Sequence, residues 1–341
     1  MYMSIPPTSA NETERLADLI RRQHPSLDTM LLPPAGEFQT RTVALDTLTD
    51  ELTDCLAEVF RHRHAEDFPM LCCAWGKCRV GSTPLTNLFG VAGIPSYYQP
   101  LKASLRDALV GRPLTPWIVP SAKDQPHIFS KETAGPYGLA ESLFIPLRTL
   151  VEAGYPPDRL HAIMLDREPA SSLASWLEKW SDRAPESTLV HNYVAAALNA
   201  HRVESYARRQ GIPVTHYVYE ASKEAVASVR ILFGRLGLAS HFADDAVTDW
   251  GDTGQLHSEG SRIIFPNEPP LYTPVGIHGS DTAYRYHARG TAALSPTLLD
   301  LLRRCGVDDV YRASVDACGR DLGFSVSTSE RLFGDCIGTA A

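Results

Sequence analysis

The feature that most constrains the fold is a short apolar run that ends at a glycine loop. The run is Pro69–Trp75, and its length and lack of alternation are typical of a strand buried on both faces. The loop Gly76–Gly81 follows, and the pattern over Thr83–Val91 predicts a helix. A strand, a glycine loop and a helix in this order favour a site for a phosphate group.

The same alternation of strands and helices recurs along the chain. Further strands are predicted at Gln125–Ser130, Leu160–Leu165 and Pro213–Tyr219. The predicted helices are Asn11–Arg22, Leu45–His62, Leu139–Ala153, Ala170–Trp180, Leu189–Arg209, Lys223–Leu236, Pro296–Arg304 and Asp309–Asp316. The expected fold class is therefore α/β, a three-layer sandwich with a central parallel sheet and a P-loop-type phosphate-binding loop.

The 341 residues contain neither an internal repeat nor a stretch that reads as an interdomain linker. We therefore predict one α/β domain over residues 1–341, with an N-terminal helical segment at 1–65. Between residues 249 and 295 the sequence is rich in Pro and Gly and has no clear period, which is typical of a lid or binding loop.

The composition excludes several classes of protein. A net charge of -8 argues against a protein that coats nucleic acid or an anionic membrane. The N-terminus lacks the basic and apolar stretches of a signal peptide, and no window approaches the roughly 18 apolar residues that span a bilayer. The seven cysteines lack zinc-site spacing. We expect a cytoplasmic protein with no metal, no nucleic-acid partner and no membrane partner.

The loop has the groups that an anion needs. Its glycines let successive backbone N–H groups turn inward, Ser82 and Thr83 add hydroxyls, and Lys77 and Arg79 add positive charge. The glycine spacing resembles that of the Walker loop, but the lysine that should follow Gly81 is missing. This absence argues against an enzyme that hydrolyses ATP or GTP, which uses that lysine on the β- and γ-phosphates.

A second candidate anion site lies at the end of another predicted strand. Arg167 follows the strand Leu160–Leu165, and Ser175 lies about two turns into the next helix. Ligands of open α/β sheets bind at the carboxyl ends of strands, where an arginine can hold a phosphate through two hydrogen bonds.

With both sites in place, the chain resembles the sulfotransferases that use 3'-phosphoadenosine 5'-phosphosulfate. The family's loop for the 5'-phosphosulfate is matched by Arg79, Gly81, Ser82 and Thr83, and its site for the 3'-phosphate by Arg167, Pro169 and Ser175. The resemblance implies that the nucleotide is held by Lys77, Arg79, Val80, Gly81, Ser82, Thr83, Arg167, Ser175, Tyr219, Arg289 and Gly290.

The later matches are shorter. Tyr219-Glu220 resembles a family strand that ends in Tyr-Glu-Asp, although Ala221 replaces the aspartate. Arg289-Gly290 resembles a reduced form of the Arg-Lys-Gly segment that closes over the 3'-phosphate.

Two other departures affect what the resemblance implies. Pro84 stands where many members carry a tryptophan, and Gln99 stands where several bacterial relatives carry a glutamate. Stacking of adenine at Pro84 and base catalysis at Gln99 are therefore not expected.

The resemblance implies transfer of a sulfuryl group to a hydroxyl of a small molecule, with adenosine 3',5'-bisphosphate as the product. Arg79 and Lys131 would act on the sulfuryl group, because Lys131 matches the lysine of the family's Lys-Thr-His segment. The family's histidine is absent. Glu132 is then our first candidate for the general base and His127 the second. His278 and His287, in the predicted lid, are further candidates for contact with the acceptor.

Two other functions remain open at this point. One is a P-loop kinase of a small metabolite, and the other is a nucleotide-binding regulator without catalysis. The sequence leaves the acceptor and the oligomeric state open. A homodimer is compatible with it, and an Arg-rich, Lys-poor acidic chain is compatible with tailoring of natural products.

Overall fold

The structure, a computed structural model, describes residues 8–250, 263–264, 282–288 and 294–334. Its strands are β1 (Met70–Lys77), β2 (Ser96–Tyr98), β3 (His127–Ala134), β4 (Leu160–Asp166), β5 (Val214–Val218) and the two-residue β6 (Ile263–Ile264). They form one sheet in the order β5-β4-β1-β3-β2-β6, and every neighbouring pair is parallel. The predicted α/β fold with a central parallel sheet is confirmed.

Helices cover both faces of this sheet. They are α1 (Ala10–Arg21), α2 (Ser26–Thr29), α3 (Leu45–Phe60), α4 (Ser82–Val91), α5 (Pro100–Leu109), α6 (Leu139–Leu143), α7 (Pro146–Glu152), α8 (Pro169–Trp180), α9 (Glu186–Arg209), α10 (Ala225–Arg235), α11 (Asp244–Thr248), α12 (Pro296–Cys305), α13 (Val307–Asp321) and α14 (Val326–Phe333). None of the helices in the described ranges is long and apolar enough to cross a membrane.

The central strand β1 is buried on both faces, as its apolar run predicts. Leu71, Cys73 and Trp75 belong to a core cluster that includes α3, α5 and α9. Cys72 and Ala74 point the other way, into a cluster that includes α4, α10 and α13. Successive side chains of a strand alternate between faces, so an uninterrupted apolar run is required where both faces carry helices.

Two sequence predictions need correction, and the structure adds a segment that the sequence pattern did not predict. The single helix expected at Leu139–Ala153 is two helices, α6 and α7, because Pro146 cannot continue a helix and instead begins the next one. Strand β3 runs on to Ala134, four residues beyond its predicted end, so Lys131 and Glu132 lie inside a strand. The segment that forms β2 and α5 was not predicted at all.

Most of the predicted lid, residues 249–295, lies outside the described residues. The part at 282–288 contacts the body of the structure beside α11. Trp250 N donates to Thr282 O at 2.7 Å, and Tyr284 N donates to Val247 O at 2.8 Å.

Candidate functional site

The glycine loop lies at the carboxyl end of β1, where glycine is required at two positions. A Cβ on Gly76 would lie 2.5 Å from Leu165 O, so β1 and β4 approach too closely for any side chain there. Gly81 has φ +75°, and a Cβ on it would lie 2.2 Å from the ring of Tyr219. Arg79 also has a positive φ, +71°, which is uncommon for a residue with a side chain and tightens the turn.

Helix α4 begins directly after this turn. Gly81 is its N-cap residue, and among the described residues no side chain caps the helix. The first N–H groups of α4 and the positive end of its dipole therefore face the loop, which is the arrangement that binds anions in proteins.

The structure brings the two predicted anion-binding motifs into contact. Arg79 Nε donates a hydrogen bond to Ser175 Oγ at 2.9 Å, and Arg167 Nη1 donates to Arg79 O at 3.3 Å. These residues come from the loop after β1, the end of β4 and the second turn of α8. Two arginines and a serine therefore form one cluster beside the start of α4.

Tyr219 forms the underside of the loop. It follows β5, and the guanidinium of Arg167 lies 5.1 Å from its ring centroid, within range of a cation–π interaction. Its hydroxyl accepts a hydrogen bond from His287 N at 3.0 Å, which ties the segment 282–288 to the site. The ring of Tyr286 packs against the ring of Tyr219, with 5.2 Å between the two ring centroids.

Lys77 occupies the floor of the site. Its ammonium donates to the carboxylate of Asp166, the last residue of β4, and also to Arg167 O at 3.3 Å. Both partners of this ion pair are buried. The side chain of Lys77 therefore links β1 to β4 below the loop.

Lys131 reaches the loop from β3. Its Nζ donates to Thr83 Oγ1 at 2.9 Å, in the first turn of α4, and lies 3.7 Å from the ring centroid of Tyr98. The contact brings Lys131, predicted to act on the sulfuryl group, next to the predicted phosphate-binding loop. Ser82 lies beside Thr83 and is buried.

Glu132 points to the opposite face of the sheet from Lys131, as adjacent strand residues must. Its two carboxylate oxygens accept hydrogen bonds from Leu101 N at 3.0 Å and Lys102 N at 3.1 Å, so the side chain holds the first turn of α5. With 1% of its surface exposed, it is part of the interior. These contacts are those of a helix cap, and they favour a structural role over the base role predicted for Glu132.

His127 lies at the wrong end of the sheet for catalysis at the loop. It begins β3 and is paired in register with Met70, the first residue of β1, whereas the loop follows the last residue. Seven residues of strand separate the two ends, roughly 23 Å. Burial and the nearby His241 lower the pKa of His127. This position does not favour the predicted alternative that made His127 the base.

A group of polar side chains that sequence reasoning did not single out lies on the α5 side of the loop. Lys102 Nζ donates to Gly135 O and lies 3.4 Å from Thr133 Oγ1 and 3.9 Å from Cys78 Sγ. Thr133 Oγ1 also donates to Gln99 Oε1. The scarcity of lysine was the available signal, because Lys102 is one of only six in the chain.

Three of those six lysines surround the loop, and all three are buried. Lys77, Lys102 and Lys131 are each 3% exposed. A fully buried lysine is rare unless it is paired, and Asp166 pairs with Lys77 as described above. Glu141 offsets part of this charge, since Arg106 Nε donates to it at 2.7 Å and Lys102 lies 3.8 Å away. Burial would raise the pKa of Glu141, but Arg106 and Lys102 hold it below its usual range.

Two buried polar atoms beside Arg79 lack partners among the described residues: Arg167 Nε and Glu220 Oε2. Glu220 follows Tyr219, and its other carboxylate oxygen accepts from Glu168 N at 3.2 Å. Burial raises the pKa of Glu220, against the lowering effects of two backbone N–H groups and of Arg167.

Other predicted site residues cannot be placed. Arg289, Gly290 and His278 lie outside the described residues. Within the described ranges, no group of three or more His, Cys, Asp or Glu side chains could hold a metal ion. Comparisons with protein-family models, curated proteins and solved structures found no match for this chain.

Proposed function

We propose that this chain is a sulfotransferase that moves the sulfuryl group of 3'-phosphoadenosine 5'-phosphosulfate to a hydroxyl of a small molecule. The observation that carries the proposal is the contact between its two predicted anion sites. Arg79 of the glycine loop bonds to Ser175, and Arg167 bonds to the backbone of Arg79. A nucleotide that carries anionic groups at both its 5' and 3' positions needs two such sites side by side.

The residues present fit such a ligand. Arg167 Nε is buried and has no hydrogen-bond partner among the described residues, which is costly for a guanidinium unless an anion completes the site. On the 5' side, Arg79, the uncapped start of α4 and Lys131 beside Thr83 provide positive charge and N–H donors.

When bound, the donor supplies an activated sulfuryl group, and this chain's residues supply position and charge. Arg79 and Lys131 would hold the oxygens around the bond that breaks, in a site with little exposure to water. Holding donor and acceptor together lowers the entropic part of the barrier. Since Glu132 accepts two backbone hydrogen bonds from the first turn of α5, the proposal assigns it a structural role.

The proposal also includes the setting in which the protein works. Six cysteines of the described residues are free thiols, and five of them are buried. Free thiols persist in a reducing compartment, so we expect the protein to act in the cytoplasm.

Nucleotide binding provides the first test. We expect adenosine 3',5'-bisphosphate to bind at least about tenfold more tightly than adenosine 5'-monophosphate, because the 3'-phosphate adds charge-assisted hydrogen bonds. Isothermal titration calorimetry would measure both Kd values, with ATP–Mg as the third ligand. Arg167→Ala should remove the preference for the bisphosphate. The control is Arg230→Ala, an exposed arginine that pairs with Asp244 away from the loop.

Tighter binding of ATP–Mg than of the bisphosphate would overturn the proposal in favour of a kinase.

Turnover provides the second test. It is measured with the phosphosulfate donor and a panel of phenols and alcohols, with release of the bisphosphate as the signal. Tight binding of the bisphosphate without release under any of these conditions would point to a regulator without catalysis.

A further inference from the structure

The buried ion pair below the loop contacts more than one part of the site. Lys77 is the last residue of β1 and Asp166 the last residue of β4, and their side chains meet between the two strands. Arg167 follows Asp166 directly. The pair therefore lies where the glycine loop and the arginine of the second anion site both begin.

This pair holds the backbone of Arg167 from both sides. Asp166 Oδ1 accepts a hydrogen bond from Arg167 N at 2.8 Å, and Lys77 Nζ donates to Arg167 O at 3.3 Å. Since the same Oδ1 also accepts from Lys77, the three groups form a closed ring of hydrogen bonds. The direction in which the Arg167 side chain leaves the strand is set by these contacts.

Lys77 is also linked, through Tyr193 of α9, to the helix that carries Ser175. Its ammonium lies 5.7 Å from the ring centroid of Tyr193, and the hydroxyl of Tyr193 donates to Pro169 O at 3.0 Å. Pro169 is the first residue of α8, the helix on which Ser175 lies.

Stability alone explains such a pair poorly. When two charges are buried they lose hydration, and their attraction offsets only part of that cost. Well-packed apolar residues at the same positions often give equal stability. A pair that instead fixes the geometry of a binding group has a reason to be charged, because only polar atoms can hold both the N–H and the C=O of Arg167.

We propose that Lys77 and Asp166 are positioning residues that aim the guanidinium of Arg167 at the 3'-phosphate of the donor. The inference rests on the proposed function. It also assigns Lys77 a role below the loop in place of the direct nucleotide contact that the sequence suggested. Selectivity for a nucleotide with a 3'-phosphate is therefore set partly by two side chains that do not touch the ligand.

The test compares two nucleotides on the full chain. The double variant Lys77→Met/Asp166→Leu replaces the pair with apolar side chains of similar size, and circular dichroism checks that it folds. We expect the Kd of adenosine 5'-monophosphate to stay within about threefold, while the preference for adenosine 3',5'-bisphosphate falls by about tenfold, as expected for loss of an aligned charge-assisted contact. A purely structural role would weaken both nucleotides together.

A second variant covers the case in which the double variant does not fold. Lys77→Gln keeps a donor that can reach Asp166 and Arg167 O, and it should show a smaller drop in the same preference. The control is Arg202→Met/Asp28→Leu, which removes an ion pair between α9 and α2 and should leave the preference intact.

The outcomes separate the two ideas. If the wild-type chain prefers the bisphosphate and the variants keep that preference, the positioning role is wrong and the proposed function stands. If the wild-type chain shows no preference, the proposed function is wrong, and the positioning role is wrong with it.

Discussion

Arg79 donates a hydrogen bond from Nε to the hydroxyl of Ser175 at 2.9 Å, although the two residues lie 96 positions apart in the chain. The contact joins the glycine loop to the second turn of α8. In the proposed function, the hydroxyl of Ser175 would bond to both the loop arginine and a phosphate oxygen.

Ser175→Ala tests that shared hydroxyl. We expect the Kd of adenosine 3',5'-bisphosphate to rise by about tenfold, because a hydrogen bond to a charged group contributes about 1.5 kcal/mol. Calorimetry would measure the affinity. The matched control is Ser172→Ala on the same helix, whose hydroxyl bonds to Tyr193 and Pro169. It should lower the melting temperature and leave the affinity unchanged. If the two variants bind alike, Ser175 has no part in nucleotide binding.

Much of this arrangement could be predicted from local sequence. The apolar run before Gly76 and the glycine spacing predict a buried strand and its loop, because backbone sterics and burial act over a few residues. Arg167 could be placed at a strand end in the same way. The contact of Arg79 with Ser175 depends on the order of strands in the sheet, which no local pattern contains.

The prediction of β3 was right about the strand and wrong about its end. The expected strand ended at Ser130, so Lys131 and Glu132 were placed together on a loop. Both residues lie in β3, where neighbouring side chains point to opposite faces, so only Lys131 reaches the loop. The same error hid Thr133, whereas Lys102 was missed because α5 itself was not predicted.

Glu132→Gln distinguishes the helix cap from the general base. The carboxylate accepts two backbone N–H groups of α5, so we expect the free energy of unfolding to fall by about 1–2 kcal/mol. Urea denaturation would measure the loss, and the nucleotide Kd should change less than twofold. Glu12→Gln, in the exposed capping box of α1, provides the reference for a cap remote from the loop. Unchanged stability with loss of turnover would restore Glu132 as the base.

Gly81→Ala tests the close approach of Tyr219 to the loop. A Cβ at Gly81 meets both an unfavourable φ of +75° and the ring of Tyr219 at 2.2 Å. Gly211→Ala is the matched control, since Gly211 has φ +71° and nothing within 4 Å of the added Cβ. We expect the control to cost about 1–2 kcal/mol of unfolding free energy and Gly81→Ala to cost about 1–3 kcal/mol more. Equal losses in urea denaturation would show that Tyr219 moves aside freely.

The pH dependence of stability should follow His216, which lies in the middle of β5 and contacts two carboxylates. Its Nδ1 lies 3.0 Å from Asp321 and its Nε2 lies 3.4 Å from Glu204. Burial would lower the pKa of His216, but the hydrogen bonds and charges of the two carboxylates raise it to about 9. The neighbouring His161, which bonds to Thr215, has a pKa that burial and Arg235 lower to about 4.

A histidine whose folded pKa exceeds its unfolded pKa stabilises the protein fully below the unfolded value, about 6.5, and loses that effect as the pH rises through the folded value. We therefore expect His216→Gln to lose roughly 3 kcal/mol of unfolding free energy at pH 6.5 and most of this difference from the wild type to disappear by pH 9.5. Urea denaturation across this range gives the comparison. For His161→Gln the loss should stay constant above pH 7.5, since that ring is neutral in both states. A constant loss for His216→Gln as well would mean that His216 is uncharged in the folded protein.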